Sequence, residues 1–174
     1  MSAERTGEVT MKGNPVTLAG PKLSAGDAAP DFTCVNDSLA AVGLKDSAGK
    51  VRLFSVVPSL DTPVCNIQTN RFAKELNEFG DKVVAFTVSL DLPFAMKRFC
   101  AAHEIKNLVN LSDAHDHSFG KNFGVLITSL PVPLLARAIF VVNASDEITY
   151  VELVPEIAQE PNYDAALAAI KAAV

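Results

Sequence analysis

Two short runs, Val51 to Val57 and Val83 to Leu90, are rich in β-branched residues and almost continuously apolar. A strand that alternates needs one buried face, whereas a strand that is apolar throughout must be covered on both. That is the condition of central strands in a parallel sheet. Parallel neighbours cannot be joined by a tight turn, and the segment between these two supplies the crossover. Phe72, Leu76 and Phe79 share one helical face there, and Gly80 suits the C′ position just past a helix end. The chain therefore carries a βαβ unit, and the other segments must be arranged around it.

Upstream, Val9 to Met11 and Val16 to Leu18 flank Lys12-Gly13-Asn14-Pro15 and read as a short hairpin. Residues 1 to 8 are small and polar and are expected to be loose. Phe32 to Val35 alternates as a strand, which puts Cys34 beside Phe32 in the core, and Leu39 to Gly49 is mixed in pattern and ends in a turn. Downstream, a second helix over roughly 93–104 carries Phe94, Met96, Phe99 and Cys100. The apolar piece Leu108 to Leu111 leads to Ser112-Asp113, which suits the cap of a brief helix ending at Gly124. Leu134 to Val142 and Ile148 to Val154, separated by the turn-rich Asn143 to Glu147, read as an antiparallel pair, and Pro161-Asn162 opens a last helix over Tyr163 to Val174. This order predicts an α/β, thioredoxin-like fold: a central mixed β-sheet flanked by helices, with an N-terminal β-hairpin. A chain of 174 residues that is 49% hydrophobic and 20% charged is expected to form one such domain over 1–174.

A net charge of -5 provides no basic field, so neither nucleic acid nor an anionic membrane surface is an expected partner. No apolar run approaches the ~20 residues needed to span a bilayer, and Met1 to Val9 lacks the apolar core of a secretion signal. A cytoplasmic location is the expectation. Three cysteines (Cys34, Cys65 and Cys100) are too few for a secreted disulfide scaffold, so any disulfide among them is expected to be transient and catalytic.

The chemistry centres on Pro58-Ser59-Leu60-Asp61-Thr62-Pro63-Val64-Cys65, at the junction of strand and helix. Thr62 is a natural N-cap and Pro63 fits the first helical position, which places Cys65 in the first turn. There the unpaired N–H groups and the helix dipole favour an anion such as a thiolate. A disulfide reductase of thioredoxin type would carry a second cysteine three positions earlier, where this chain has Thr62.

The pattern Pro58-x-x-x-Thr62-x-x-Cys65 on such a fold resembles the peroxiredoxins. With Asn14-Pro15-Val16-Thr17-Leu18, Asp91-Leu92-Pro93-Phe94-Ala95, Arg98-Phe99-Cys100 and Leu135-Ala136-Arg137-Ala138, the resemblance extends to the thiol peroxidase subfamily of atypical two-cysteine peroxiredoxins. It implies that Cys65 attacks hydrogen peroxide or an organic hydroperoxide to give a sulfenic acid. Cys100 then resolves it as an intramolecular disulfide, and a thioredoxin-like dithiol reduces the product. It also implies that Thr62 and Arg137 complete the peroxide site, that Pro58 shields it, and that the protein is a homodimer. No cofactor or metal is expected.

Arithmetic explains why such helpers are needed. A free thiol is only about 3% thiolate at pH 7; lowering its pKa to about 6 raises that roughly 30-fold, but nucleophilicity falls by roughly tenfold. Activation of the peroxide by hydrogen-bond donors must supply the rest, and the Thr62 hydroxyl, the first-turn N–H groups and Arg137 are the expected donors. Because Cys65 and Cys100 both read as helical and a disulfide needs Cα atoms within about 7 Å, local unwinding is expected when they bridge. Cys34 is expected to be inert core. Asp113, His115, Asp116 and His117 read as an exposed polar helix start rather than a metal site. A redox sensor that uses the same disulfide without fast turnover is the competing class; a cysteine hydrolase is disfavoured by Thr62 and by the order of elements.

Overall fold

The computed structural model describes residues 3–174. Strands β1 (Glu4–Met11) and β2 (Asn14–Ala19) pair antiparallel across Lys12 and Gly13, both at positive φ (52° and 79°), the geometry that matches the twist of a two-residue hairpin. The hairpin is longer than its apolar residues suggest. Residues 4–8, expected to be loose, belong to β1, with Glu4 opposite Ala19 and Arg5 opposite Leu18. Backbone pairing does not need apolar side chains, and Arg5 adds bonds to the carbonyls of Gly20, Pro21 and Gly124. Residues 1 and 2 lie outside the described part.

The βαβ unit is present as read. Strand β5 (Val51–Val56) runs parallel to β6 (Val83–Ser89) with Val51 opposite Val83 and Val56 opposite Val88. Between them, α1 (Pro63–Glu75) continues into a 3₁₀ segment, Leu76–Lys82, within which Gly80 takes a φ of 52°. The helical path tightens after Glu75 and breaks at Gly80, where the sequence places its end. After β6 come α2 (Pro93–Ala102), β7 (Val109–Ser112) and α3 (Ser118–Asn122). With β3 (Cys34–Val35), β4 (Ala41–Val42), β10 (Ala138–Val142) and β11 (Ile148–Leu153), these strands make a mixed seven-stranded sheet of order β11-β10-β5-β6-β7-β3-β4. The final helix, α4 (Tyr163–Ala173), is capped by Asn162, whose side chain accepts from the Ala165 N–H at 3.1 Å.

Both faces of the central sheet are covered, as the continuous apolar runs require. On one, Val51 and Leu53 pack with Phe72, Leu76, Ala166 and Ile170 from α1, its extension and α4. On the other, Phe54 and Phe86 stack at 5.2 Å and meet Phe119 and Phe123 of and beside α3. A second, four-stranded sheet of order β1-β2-β8-β9 completes that side, with β8 (Leu126–Ile127) and β9 (Leu134–Leu135).

One predicted strand is in fact two. Leu134 to Val142 reads as a single apolar run, but β9 belongs to the small sheet and β10 to the large one. The chain changes sheets at Ala136-Arg137. Both sheets line the same core, so hydrophobicity does not drop at the crossing, and Arg137 is carried into the interior there.

Candidate active site

The connection from β5 to α1 is built by hydrogen bonds rather than by apolar packing alone. Val57 N–H donates to Val88 O, after which Asp91, just beyond β6, organises the turn: its carboxylate accepts from Ser59 Oγ (2.8 Å), Leu60 N–H (2.8 Å) and Ser89 Oγ (2.8 Å). Its own carbonyl accepts from Ser112 Oγ at 2.6 Å. Pro58 is buried within this turn. Thr62 takes the extended N-cap conformation and Pro63 the first helical position, as the sequence predicts. The Thr62 hydroxyl, however, does not cap the helix; it donates to Ser59 O at 3.0 Å. The first bond of the helix runs from Asn66 N–H to Thr62 O, so the Val64 and Cys65 N–H groups precede the helical ladder.

Cys65 has no exposed surface and lies in a small cluster with Val57, Leu60, Met96, Phe99 and Cys100. The two predicted redox cysteines thus share one buried pocket of the fold, on facing helices, and both are free thiols. Above the start of α1, Leu60, Thr62, Asn66, Phe99 and His103 line an open cleft of about 300 Å³.

Arg137 reaches the same helix from the opposite side. It is 1% exposed; its Nε donates to Ile157 O at 2.9 Å and its Nη1 to Gln68 Oε1 at 2.9 Å. Gln68 stands one turn beyond Cys65 on the same face of α1 and is itself held, through Nε2, by Ser55 Oγ at 2.7 Å. Arg52 provides the contrast: it too is fully buried, but it is paired with the Asp146 carboxylate. Arg137 has only neutral acceptors and no carboxylate partner among the described residues. A buried cation left without a counter-charge is costly, and its charge is available to an oxygen-rich or anionic guest.

The carbonyl that aims Arg137 is anchored in turn. Ile157 N–H donates to Thr10 O, and the neighbouring Glu156 carboxylate accepts from Thr10 Oγ1 (2.7 Å) and the N–H groups of Lys12, Gly13 and Ala158. These bonds, that of Thr10 first, hold the Glu156 carboxyl down at about 2 against an ordinary 4.5. A lowered folded-state value means that the clasp is intact above pH 4.5 and is lost as pH falls through about 2. Hydrogen-exchange protection in the Thr10 to Gly13 turn is accordingly expected to fall over that interval, and Glu156→Gln to remove the pH dependence.

The remaining cysteine, Cys34, is held as a thiol. Burial and then the nearby Asp113 carboxylate push Cys34 well above the ordinary thiol range; its Sγ lies 3.7 Å from Asp113 Oδ1. Asp113 itself accepts from the Phe119 and Gly120 N–H groups at 2.9 and 2.8 Å, so it caps α3 from a distance as the sequence suggests, although His117 takes the N-cap position. Among the described residues there is no group of three or more potential metal ligands.

Comparison with known proteins identifies the family. The redoxin family model matches residues 24–167. A thiol peroxidase of Listeria monocytogenes serotype 4b is 52% identical over 166 residues, covering 95% of this chain and 99% of that one. The chain belongs to the thiol peroxidase family of the peroxiredoxins. A thiol peroxidase of Staphylococcus aureus is 48% identical over 164 residues (94% and 98% coverage). The crystal structure of a peroxiredoxin-like protein from Aquifex aeolicus superposes with a TM-score of 0.90 at 40% identity, covering 98% of each chain. The thioredoxin-like architecture is that of its relatives.

For a thiol peroxidase, two further side chains stand out that the sequence does not advertise. Gln68 reads as an ordinary polar helix residue, yet it is fully buried and joins Arg137 to the helix of Cys65. Asp91 stands in the sequence only as the first residue of the Asp91-Leu92-Pro93-Phe94-Ala95 motif, with no role given to it, yet it fixes the loop that carries Pro58 to Thr62.

Proposed function

We propose that the protein is a thioredoxin-dependent peroxidase that reduces hydrogen peroxide and organic hydroperoxides, with Cys65 as the attacking thiolate and Cys100 as the resolving thiol. The observation that carries this reading is the pairing of a buried cysteine in the first turn of α1 with a second free cysteine in the same cluster, beside a buried arginine that bonds Gln68 one turn further along α1 and has no carboxylate partner among the described residues. The peroxide enters over the cleft between α1 and α2. Its terminal oxygen is attacked by sulfur, forming an S–O bond as the O–O bond breaks, and the leaving oxygen takes a proton to become water or an alcohol. Charge developing on the two oxygens is met by Arg137 and the first-turn N–H groups. Because the Thr62 hydrogen is committed to the Ser59 carbonyl, its oxygen serves as acceptor for the peroxide O–H and orients it, rather than acting as the donor first expected. Pro58 keeps water from the pocket.

Cys100 then closes a disulfide with Cys65, and a thioredoxin-like dithiol reopens it by thiol–disulfide exchange. Linking residues 35 apart is worth about 4 kcal/mol in chain entropy, offset by the unwinding the two helices undergo. We place the protein in the cytoplasm; no helix among the described residues is long and apolar enough to cross a membrane. A homodimer through the start of α2 is part of the proposal, since Leu92 and Phe94 project there with 59% and 67% of their surface exposed.

Stopped-flow oxidation by one equivalent of hydrogen peroxide, followed by peptide mapping, tests the reading. A peroxidase is expected to react far faster than free cysteine and to yield a Cys65–Cys100 disulfide with Cys34 unmodified. Oxidation at the pace of free cysteine would point to a redox sensor instead, and a disulfide to Cys34 would displace Cys100 from its role.

A further inference from the structure

Asn110 of β7 is buried and has no part in the mechanism above. Its side chain is 3% exposed and shares the helix-covered face of the sheet with Thr87 and Ser55, its successive register neighbours on β6 and β5. Polar groups in the middle of such a face are costly unless bonded. Ser55 is bonded to Gln68; Thr87 Oγ1 has no partner among the described residues. The Asn110 amide is used twice. Nδ2 donates to Cys100 Sγ at 3.2 Å and lies 3.2 Å from each carboxylate oxygen of Asp37, while Oδ1 lies 3.5 Å from the same sulfur. An amide that offers both N–H and C=O to one sulfur suits either protonation state: a thiol donates to Oδ1 and a thiolate accepts from Nδ2. Asp37 fixes this orientation, because a carboxylate only accepts and so keeps Nδ2 on its side.

We infer that Asn110, oriented by Asp37, is a positioning residue of the resolving step: it holds the Cys100 sulfur on folded α2 and couples it to the Asp37 charge. This rests on Cys100 being the resolving thiol, as proposed above. In that step the Cys100 thiolate attacks the Cys65 sulfenic sulfur; the S–S bond forms, the S–O bond breaks, and the departing hydroxide takes a proton to become water. The Cys100 sulfur is oxidised and the sulfenic sulfur reduced.

Attack requires the thiolate. Burial pushes the Cys100 thiol up from its ordinary value, the Asn110 hydrogen bond draws it down, and the Asp37 charge pushes it up again. Other titratable side chains at this place are Cys65, in the same cluster on α1, and His103, which stacks on Phe99 along α2 at 4.4 Å. Asp37 is the carboxylate that acts on the sulfur, and it therefore slows resolution near neutral pH. When Cys100 leaves, the unpartnered Thr87 hydroxyl in the adjacent register position gives the Asn110 amide a replacement partner.

The test mixes reduced full-length protein with one equivalent of hydrogen peroxide and counts free thiols by mass spectrometry in quenched samples, which separates Cys65 oxidation from disulfide formation. Asp37→Asn keeps an acceptor for Nδ2 and removes the charge. It is expected to leave the first phase unchanged and to accelerate the second by about two- to threefold at pH 7, the gain in thiolate being partly offset by its lower nucleophilicity. The pH midpoint of the second phase moves down, and at high pH, where both thiols are ionised, the variant is no faster than the parent. In an Asn110→Ala background the midpoint shift is expected to be smaller than in the parent background, because the amide that holds Asp37 beside the sulfur is gone. A packing role moves no midpoint. If Cys100→Ser lacks the second phase while Asp37→Asn keeps the parent's rate and midpoint, the inference is overturned and the assignment of Cys100 stands. If Cys100→Ser retains the second phase, both fall.

Discussion

Replacing Cys65 with serine is expected to lower thioredoxin-dependent peroxide turnover by more than about 10³-fold, the scale on which loss of a nucleophile acts. A hydroxyl in the same first turn is a far weaker nucleophile than a thiol, of which a few per cent is ionised even without assistance. Oxygen also offers no counterpart to the sulfenic acid that receives the transferred oxygen atom. Neither remaining cysteine is placed to substitute. Cys34 is driven up by burial and by Asp113, on the far side of the sheet from α1, and Cys100 is held up by burial and Asp37. Peroxide consumption coupled to a thioredoxin system measures the loss, and a sulfenic-acid trap that labels the parent but not the variant locates it. Turnover within tenfold of the parent would remove Cys65 from the mechanism. Cys100→Ser separates the half-reactions: one sulfenic acid per chain still forms on Cys65, but recycling by thioredoxin stops.

What could be read from the sequence divides by range. The βαβ unit follows from the continuous apolarity of Val51 to Val57 and Val83 to Leu90, and the place of Cys65 follows from Thr62 and Pro63; these are local signals, and the fold obeys them. The polar partners of the site follow from register and are invisible along the chain. Gln68 meets Arg137 only because β10 lies antiparallel to β5 and α1 packs over both, and Asn110 meets Asp37 only because β7 pairs with β3. Arg137 itself sits where one apolar run passes between two sheets, a break that hydrophobicity cannot reveal because both sides face the same core. The hydroxyl of Thr62 illustrates the smallest scale of miss: residue type favours a cap, but the turn through Ser59 offers its carbonyl first.

Arg137→Met is the variant in which activity and stability are expected to part. If the guanidinium stabilises charge on the reacting oxygens, its loss should slow Cys65 oxidation by about 10²–10³-fold, the usual consequence of removing one such donor. Its structural value is small by comparison, because a buried cation with two neutral acceptors carries a desolvation cost that no carboxylate offsets. The methionine side chain fills a similar volume without a charge, so the melting temperature is expected to be unchanged or higher. Arg137→Lys keeps the charge but lacks the planar fork that reaches Ile157 O and Gln68 Oε1 together, and is expected to recover only part of the rate. Gln68→Leu, which leaves the charge and removes one of its two anchors, should fall between the parent and Arg137→Met. The opposite pattern, a lower melting temperature with unaltered oxidation kinetics, would make Arg137 a strut between the sheets and return the activation of peroxide to the first turn of α1.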